Sequence, residues 1–312
     1  MKEVVVYTSV DQVYSEPILK AYEQSTGVRV KAVYDVEAAK TTGLVTRLDA
    51  EKARPQADVF WSGEFAQTMG LKERGVLAPY RSPAAADIPA VFSDPEACWT
   101  GVGGRARVFI VNTTLLRPSE YPASLDDMLD SRRPADSIGI ANPLFGTAAT
   151  HAAALYASRG PDPALGFFKA LRERGIRVVD GNSVVRDLVA NGQLAFGLTD
   201  TDDAAEALRR GAPVRVIAPD QDRGGTLVIP GTVAMIAGGP HPAEARALVD
   251  YLLSVETEAA LVKAGGFQMS LRPGSPLNDP AFAGIRAMGI SLQQIQAAMP
   301  RSMVELRETF IR

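Results

Sequence analysis

A chain of 312 residues, 46% hydrophobic and 22% charged, with one cysteine and a net charge of −3, has the make-up of an ordinary globular protein of about two domains. Its acids and bases are interspersed, which excludes the basic footprint of a nucleic-acid binder and a polybasic membrane patch. Lone Cys98 excludes an internal disulfide and a cysteine metal cluster, and no apolar run is long enough to cross a bilayer.

Taken in chain order, the elements alternate. Met1-Lys2-Glu3 passes straight into a β-rich run at residues 4–7, with no apolar leader ahead of it. Residues 15–25 show helical spacing at Ile18, Leu19 and Tyr22 and stop at Gly27; residues 28–33 alternate as a strand. Residues 43–52 place Leu44, Leu48 and Glu51 on neighbouring turns of a helix. A buried strand at 57–61 follows Pro55, and a helix at 65–73 ends before Gly75. This β-α-β-α-β order predicts a doubly wound α/β sheet with helices on both faces.

A second set follows. Strands are predicted at 107–111, 138–141, 176–179, 194–198 and 214–217, and helices at 125–129, 148–158, 163–174, 184–191 and 204–210. Strands at 226–229 and 232–236 then precede helices at 242–253 and 256–263, and the tail from Pro273 holds one clear helix at 304–310. Two α/β sets predict two doubly wound lobes, residues 1–104 with 225–268 and residues 105–224, plus a C-terminal helical segment, 269–312, packed on one of them. The crossings near 101–111 and 219–229 are extended and flanked by glycines, the form of a hinge in which few residues absorb the dihedral change.

In an open α/β sheet, ligands sit outside the carboxyl ends of the strands. Polar clusters lie at those ends: Thr8, Ser9 and Asp11; Thr41 and Thr42; Ser62, Gly63 and Glu64; Arg105 at the crossing; Gly146, Thr147 and Ala148; Asn182 and Ser183. One more cluster, at 200–203, is the most informative. The apolar run 194–198 breaks into Asp200, Asp202 and Asp203 among two threonines, where a cation, a metal or an amine would be held. A helix cap needs only one of the three acids. Gly146 and Thr147 open a helix and form an anion seat, since free N–H groups and the helix dipole attract negative charge there. Arg105 and Arg107, two apart on a strand, point the same way, and one or both would clamp a carboxylate or phosphate.

His151 and His241 are too far apart for a zinc motif, and His151 reads as a packed histidine. Trp61, Trp99 and Cys98 read as core. No G-x-S-x-G elbow, P-loop or nucleophile–base pair is present, so no catalysis and no catalytic cofactor are expected. The competing class is a metal-dependent hydrolase or transferase built on the carboxylates.

Several segments resemble the bacterial periplasmic ferric-binding proteins, the substrate-binding subunits of ABC importers. They are Val4-Val5-Val6-Tyr7-Thr8-Ser9, Thr26-Gly27-Val28-Arg29-Val30, Ala57-Asp58-Val59-Phe60-Trp61, Gly75-Val76-Leu77-Ala78-Pro79-Tyr80 and Gly104-Arg105-Ala106-Arg107-Val108. The resemblance runs to about Lys263. It implies a type II periplasmic binding fold, two lobes on two hinge strands closing on a ligand in the cleft. It also implies a monomer, a permease as partner, a periplasmic location and a signal peptide already removed. Iron-binding members use a histidine after the first strand, a glutamate after the third, an adjacent tyrosine pair and a synergistic anion. Here those positions carry Asp11, Glu64 displaced by one, and Asp202-Asp203, while the seat at Gly146-Thr147-Ala148 is retained. The resemblance therefore implies Fe(III) or another hard cation held by Asp11, Glu64, Asp202 and Asp203, with or without an anion. The alternative is an anionic or zwitterionic organic solute (an aminophosphonate or sugar phosphate) or a polyamine.

Overall fold

The computed structural model describes residues 2–34, 42–273, 275–276 and 280–311. The chain divides into two compact units, residues 1–104 with 230–279 and residues 105–229 with 280–312. The second passage falls at 229/230 rather than 224/225. The tail is not one segment: 269–279 belongs to the first unit and 280–312 to the second.

The first unit begins with β1 (Glu3–Thr8), α1 (Gln12–Thr26), β2 (Arg29–Tyr34), α2 (Thr42–Ala50), β3 (Val59–Ser62), α3 (Ala66–Glu73) and β4 (Leu77–Ala78). The long β5 (Thr100–Asn112) then carries the chain into the second unit. There follow β6 (Ile138–Ala141), α4 (Gly146–Arg159), α5 (Pro161–Arg174), β7 (Arg177–Val179), α6 (Asn182–Ala190), β8 (Phe196–Asp200), α7 (Thr201–Arg209) and β9 (Val214–Ile217). The return strand β10 (Val228–Ile236) leads to α8 (Pro242–Leu252) and α9 (Val255–Ala264) in the first unit, and α10 (Leu292–Phe310) completes the second.

In the first unit β1 runs parallel to β2 and β3, with Thr8 opposite Tyr34 and Trp61, and β10 runs antiparallel to β3 and β4. Val4, Val6, Phe60 and Trp61 are wholly or almost wholly buried, as their unbroken apolar runs require. The parallel register brings the ends of β1 and β3 side by side, and with them Ser9 and Ser62.

In the second unit β6 is parallel to β7 and β8, while β5 is antiparallel to β8 and β9. Phe109 of β5 meets Phe196 of β8 edge to face at 5.5 Å. The pair sits in an apolar cluster with Leu125, Met128, Leu155, Phe168 and Leu306. The register sets Arg107 opposite Asp200.

Three elements differ from expectation. β5 starts at Thr100 rather than 107, so its glycines lie in the strand. A Cβ on Gly103, whose φ is +55°, would lie 2.3 Å from the Phe267 ring, so this glycine is needed for close packing within the first unit. The two strands expected at 226–229 and 232–236 are the single β10, continuous through Pro230 and Gly231. Finally, α10 begins twelve residues before the predicted 304. Ser291 and Gln294 cap it reciprocally, and Pro300 lies inside it. A proline in a helix interior normally ends the helix. Here burial of Leu292, Ile295 and Leu306 carries the helix through.

Candidate functional site

In the second unit three strand-to-helix junctions meet. β8 stays buried through Asp200, and α7 starts at Thr201. β6 leads to α4 through Phe145, and β7 leads to α6 through Gly181. None of these helix starts has a side-chain cap. Gly146 opens α4 at φ +53°, a conformation that favours glycine.

Arg107, 1% exposed, joins the three junctions. Its Nη1 lies 2.8 Å from Asp200 Oδ1, donates to Asn182 Oδ1 at 2.8 Å, and reaches Thr147 Oγ1 at 3.4 Å. Asn182 Nδ2 donates to Thr147 Oγ1 at 2.8 Å and to Asp200 Oδ2 at 3.0 Å, and the Thr147 hydroxyl donates to Asp200 Oδ2. Asp200 is therefore held by three side chains beneath the acidic loop.

Asp200, Asp202 and Asp203 offer oxygens that lie within 4.8 Å of one another. Each acid has its own arginine. Arg105 Nη1 is 3.3 Å from Asp202 Oδ2, and Arg186 Nη1 is 3.2 Å from Asp203 Oδ1. The Thr199 hydroxyl donates to Asp203 Oδ2, and Thr201 Oγ1 accepts from the Ala106 N–H. Asp202 Oδ1 is buried and has no hydrogen-bond partner. Burial pushes the Asp202 carboxyl up against the pull of Arg105. Asp203 is pushed up to about 7, first by burial and then by Asp202 and Asp200.

His151 is buried on α4, and desolvation followed by Arg107 and Arg159 drives its pKa well down, so the ring is neutral. It lines a cavity of about 20 Å³ with Arg107, Leu155 and Phe168. Ala148 packs inward against Val185 and Val189, whereas Ser183 is exposed on α6.

In the first unit Ser9 Oγ lies 3.2 Å from Ser62 Oγ and accepts from the Gly63 N–H at 3.2 Å. Thr8 turns inward and accepts from the Val10 N–H. Glu64 accepts from the Ala66 and Gln67 N–H groups at 2.6 and 3.0 Å, so both its oxygens hold the start of α3. Asp11 is exposed before α1 and does not cap it with its side chain. Thr42 begins α2, and Thr41 lies outside the described residues.

The structure thus gathers Arg105, Thr147, Asn182, Asp200, Asp202 and Asp203 in the second unit, and Ser9, Ser62, Gly63 and Glu64 in the first. Sequence reasoning left Arg186 out. On α6, four residues after Asn182, its place one turn along the same helix face was the available signal. His241 is only partly exposed. Its Nδ1 lies 2.9 Å from Asp58 Oδ2. Cys98 is buried and free, as expected.

A family model described as bacterial extracellular solute-binding protein matches residues 3–267. Iron uptake protein A1 of Synechocystis is 22% identical over 312 residues, which cover 96% of this chain and 84% of that protein. A Trichodesmium protein (IdiA, FutA), solved in complex with iron and citrate ligands, superposes with a TM-score of 0.88 at 20% identity, covering 99% of this chain and 100% of that one. The periplasmic binding protein AfuA from Actinobacillus pleuropneumoniae, solved with exogenous fructose-6-phosphate bound, gives 0.77 at 24% identity, covering 100% and 99%. The shared fold is that of the type II periplasmic binding proteins.

Proposed function

The chain belongs to the bacterial extracellular solute-binding proteins, and from that premise we propose that it is the binding subunit of an ABC importer. It works as a monomer outside the cytoplasmic membrane, carries its cargo to a permease and performs no chemistry. No helix among the described residues is long and apolar enough to cross a membrane. The cargo is a hard cation, Fe(III) first among them, taken by Asp202 and Asp203. The observation that carries this reading is the buried, unpartnered Oδ1 of Asp202 beside two further carboxylates. That one oxygen is closed to solvent although the Asp202 side chain as a whole is 40% exposed, and a bound cation would satisfy it. The iron uptake relative supports the same cargo. Both Glu64 oxygens accept from the start of α3, and the proposal rests on Asp202 and Asp203 rather than on Glu64.

A second reading has its own support. Arg105, Arg107 and Arg186 together neutralise the acidic triad, which suits a zwitterionic organic solute better than a bare trivalent ion. In that case the solute's ammonium meets Asp202 and Asp203, and its anionic group meets Arg105.

A thermal-shift screen of chelator-stripped protein separates the two. Fe(III) citrate, Ga(III) citrate, citrate alone, divalent ions, a sugar phosphate, an aminophosphonate and a polyamine would each be added. A ligand at 100 times its dissociation constant adds about 2.7 kcal/mol. The cation reading expects a shift with Fe(III) or Ga(III) that is absent with citrate alone, reversed by chelator and lost in Asp202→Ala with Asp203→Ala. A shift with an organic solute only, indifferent to chelator, overturns it.

A further inference from the structure

We infer that Asp200 is the resident anion of this site: its carboxylate fills the seat that the starts of α4 and α6 would otherwise offer to a soluble anion. Three side-chain donors an oxyanion would use there are turned to Asp200, while the buried Nε of Arg107 has no partner. Arg107 Nη1 takes Oδ1 at 2.8 Å, Asn182 Nδ2 takes Oδ2 at 3.0 Å, and the Thr147 hydroxyl takes Oδ2 as well. Asp200 is 3% exposed and Arg107 1%, so the pair is closed to solvent.

The placement makes physical sense. Thr147 is the second residue of α4, Asn182 the first of α6, and Asp200 the residue before α7. The positive ends of three helix dipoles lie around one carboxylate, and no side chain caps any of the three starts. Such a point attracts an anion. The chain supplies its own, and the Arg107 guanidinium lies against it at 2.8 Å. Asp200 and Arg107 are then positioning residues that fix three junctions, while Asp202 and Asp203 face the cargo. The inference deepens the cation reading, because it removes the need for a co-bound anion at Thr147.

The test does not use Fe(III), so it stands or falls apart from the choice of cargo. Wild type, Asp200→Ala and Asp200→Ala with Thr147→Val are melted in sodium acetate and in sodium chloride at equal ionic strength. Asp200→Ala opens a hole shaped for a carboxylate and lined by Arg107, Asn182 and Thr147. It should melt below wild type and recover at least half of that loss, saturably, in acetate. Wild type and the double variant should not respond to acetate. An Asp200→Ala protein that folds and is indifferent to acetate overturns the inference. A second measurement decides the matter should Asp200→Ala fail to fold. Inorganic phosphate is titrated calorimetrically into wild type and into Thr147→Val. Absence of saturable binding to wild type is expected. Saturable binding that Thr147→Val abolishes would show an open seat and overturn the inference.

Discussion

Arg186 reaches from the second turn of α6 to place its Nη1 3.2 Å from Asp203 Oδ1, yet the Asp203 carboxyl still sits near 7. One arginine does not offset burial together with two neighbouring acids.

The consequence is a pH dependence with a definite sign. The folded pKa of Asp203 lies above its unfolded value, so between about pH 4 and 7 the folded state holds a proton the unfolded chain has released. This group therefore favours folding at the acid end of that window, and its contribution fades as pH rises through 7. Asp203→Asn cannot ionise and lacks this term. Urea melts at pH 5, 6.5 and 8 should show wild type losing stability relative to Asp203→Asn by about 2–3 kcal/mol across the series, at 1.36 kcal/mol per unit over the roughly two units between pH 5 and 7. Parallel pH profiles would mean that Asp203 titrates like an ordinary carboxylate.

Arg105→Ala distinguishes the two cargo readings. Removing a cation 3.3 Å from Asp202 frees that carboxylate. Affinity for Ga(III) should hold or rise, whereas a sugar phosphate or aminophosphonate that uses Arg105 should bind at least about tenfold more weakly, ~1.4 kcal/mol. Calorimetry with both ligand types reads the difference, and a fall in Ga(III) affinity would count against cation binding at Asp202.

Glu64→Ala should cost stability and spare binding. Its carboxylate caps α3 through the Ala66 and Gln67 N–H groups, a role worth about 1 kcal/mol. Chemical denaturation should report that loss with Ga(III) affinity unchanged. A tenfold loss of affinity would return Glu64 to the ligand set.

Leu306→Ala tests the tail. Leu306 is fully buried among Leu155, Phe168 and Leu171. The truncation should cost about 2–5 kcal/mol by lost burial and a residual cavity. A change below about 1 kcal/mol in a urea melt would mean that α10 is loosely attached.

The fold was largely legible in the sequence, because apolar runs such as 59–61 and 194–198 read as buried strands in an alternating α/β pattern. Element ends were harder. Pro300 hid the first half of α10, since the hydrophobic stripe that overrides a proline becomes visible only once its partner helices are in place. Glycines 101, 103 and 104 read as a flexible crossing, but Gly103 answers to the Phe267 ring, a contact between residues far apart in sequence. At the site, the sequence supplied the acids and Arg105. It could not supply the pairing: Arg107 looked interchangeable with Arg105, and only the β5–β8 register sets Arg107 against Asp200. Glu64 stood out as a ligand candidate because it follows the third strand. Its commitment to α3 is a matter of backbone geometry.

Neither unit is a continuous stretch of chain. The first unit needs residues 230–279 and the second needs 280–312, with Leu306 in the second unit's core. During synthesis from the N-terminus, residues 105–229 emerge long before the helix that seals them. The second unit must therefore wait, unfinished, for about fifty residues of its neighbour to be made.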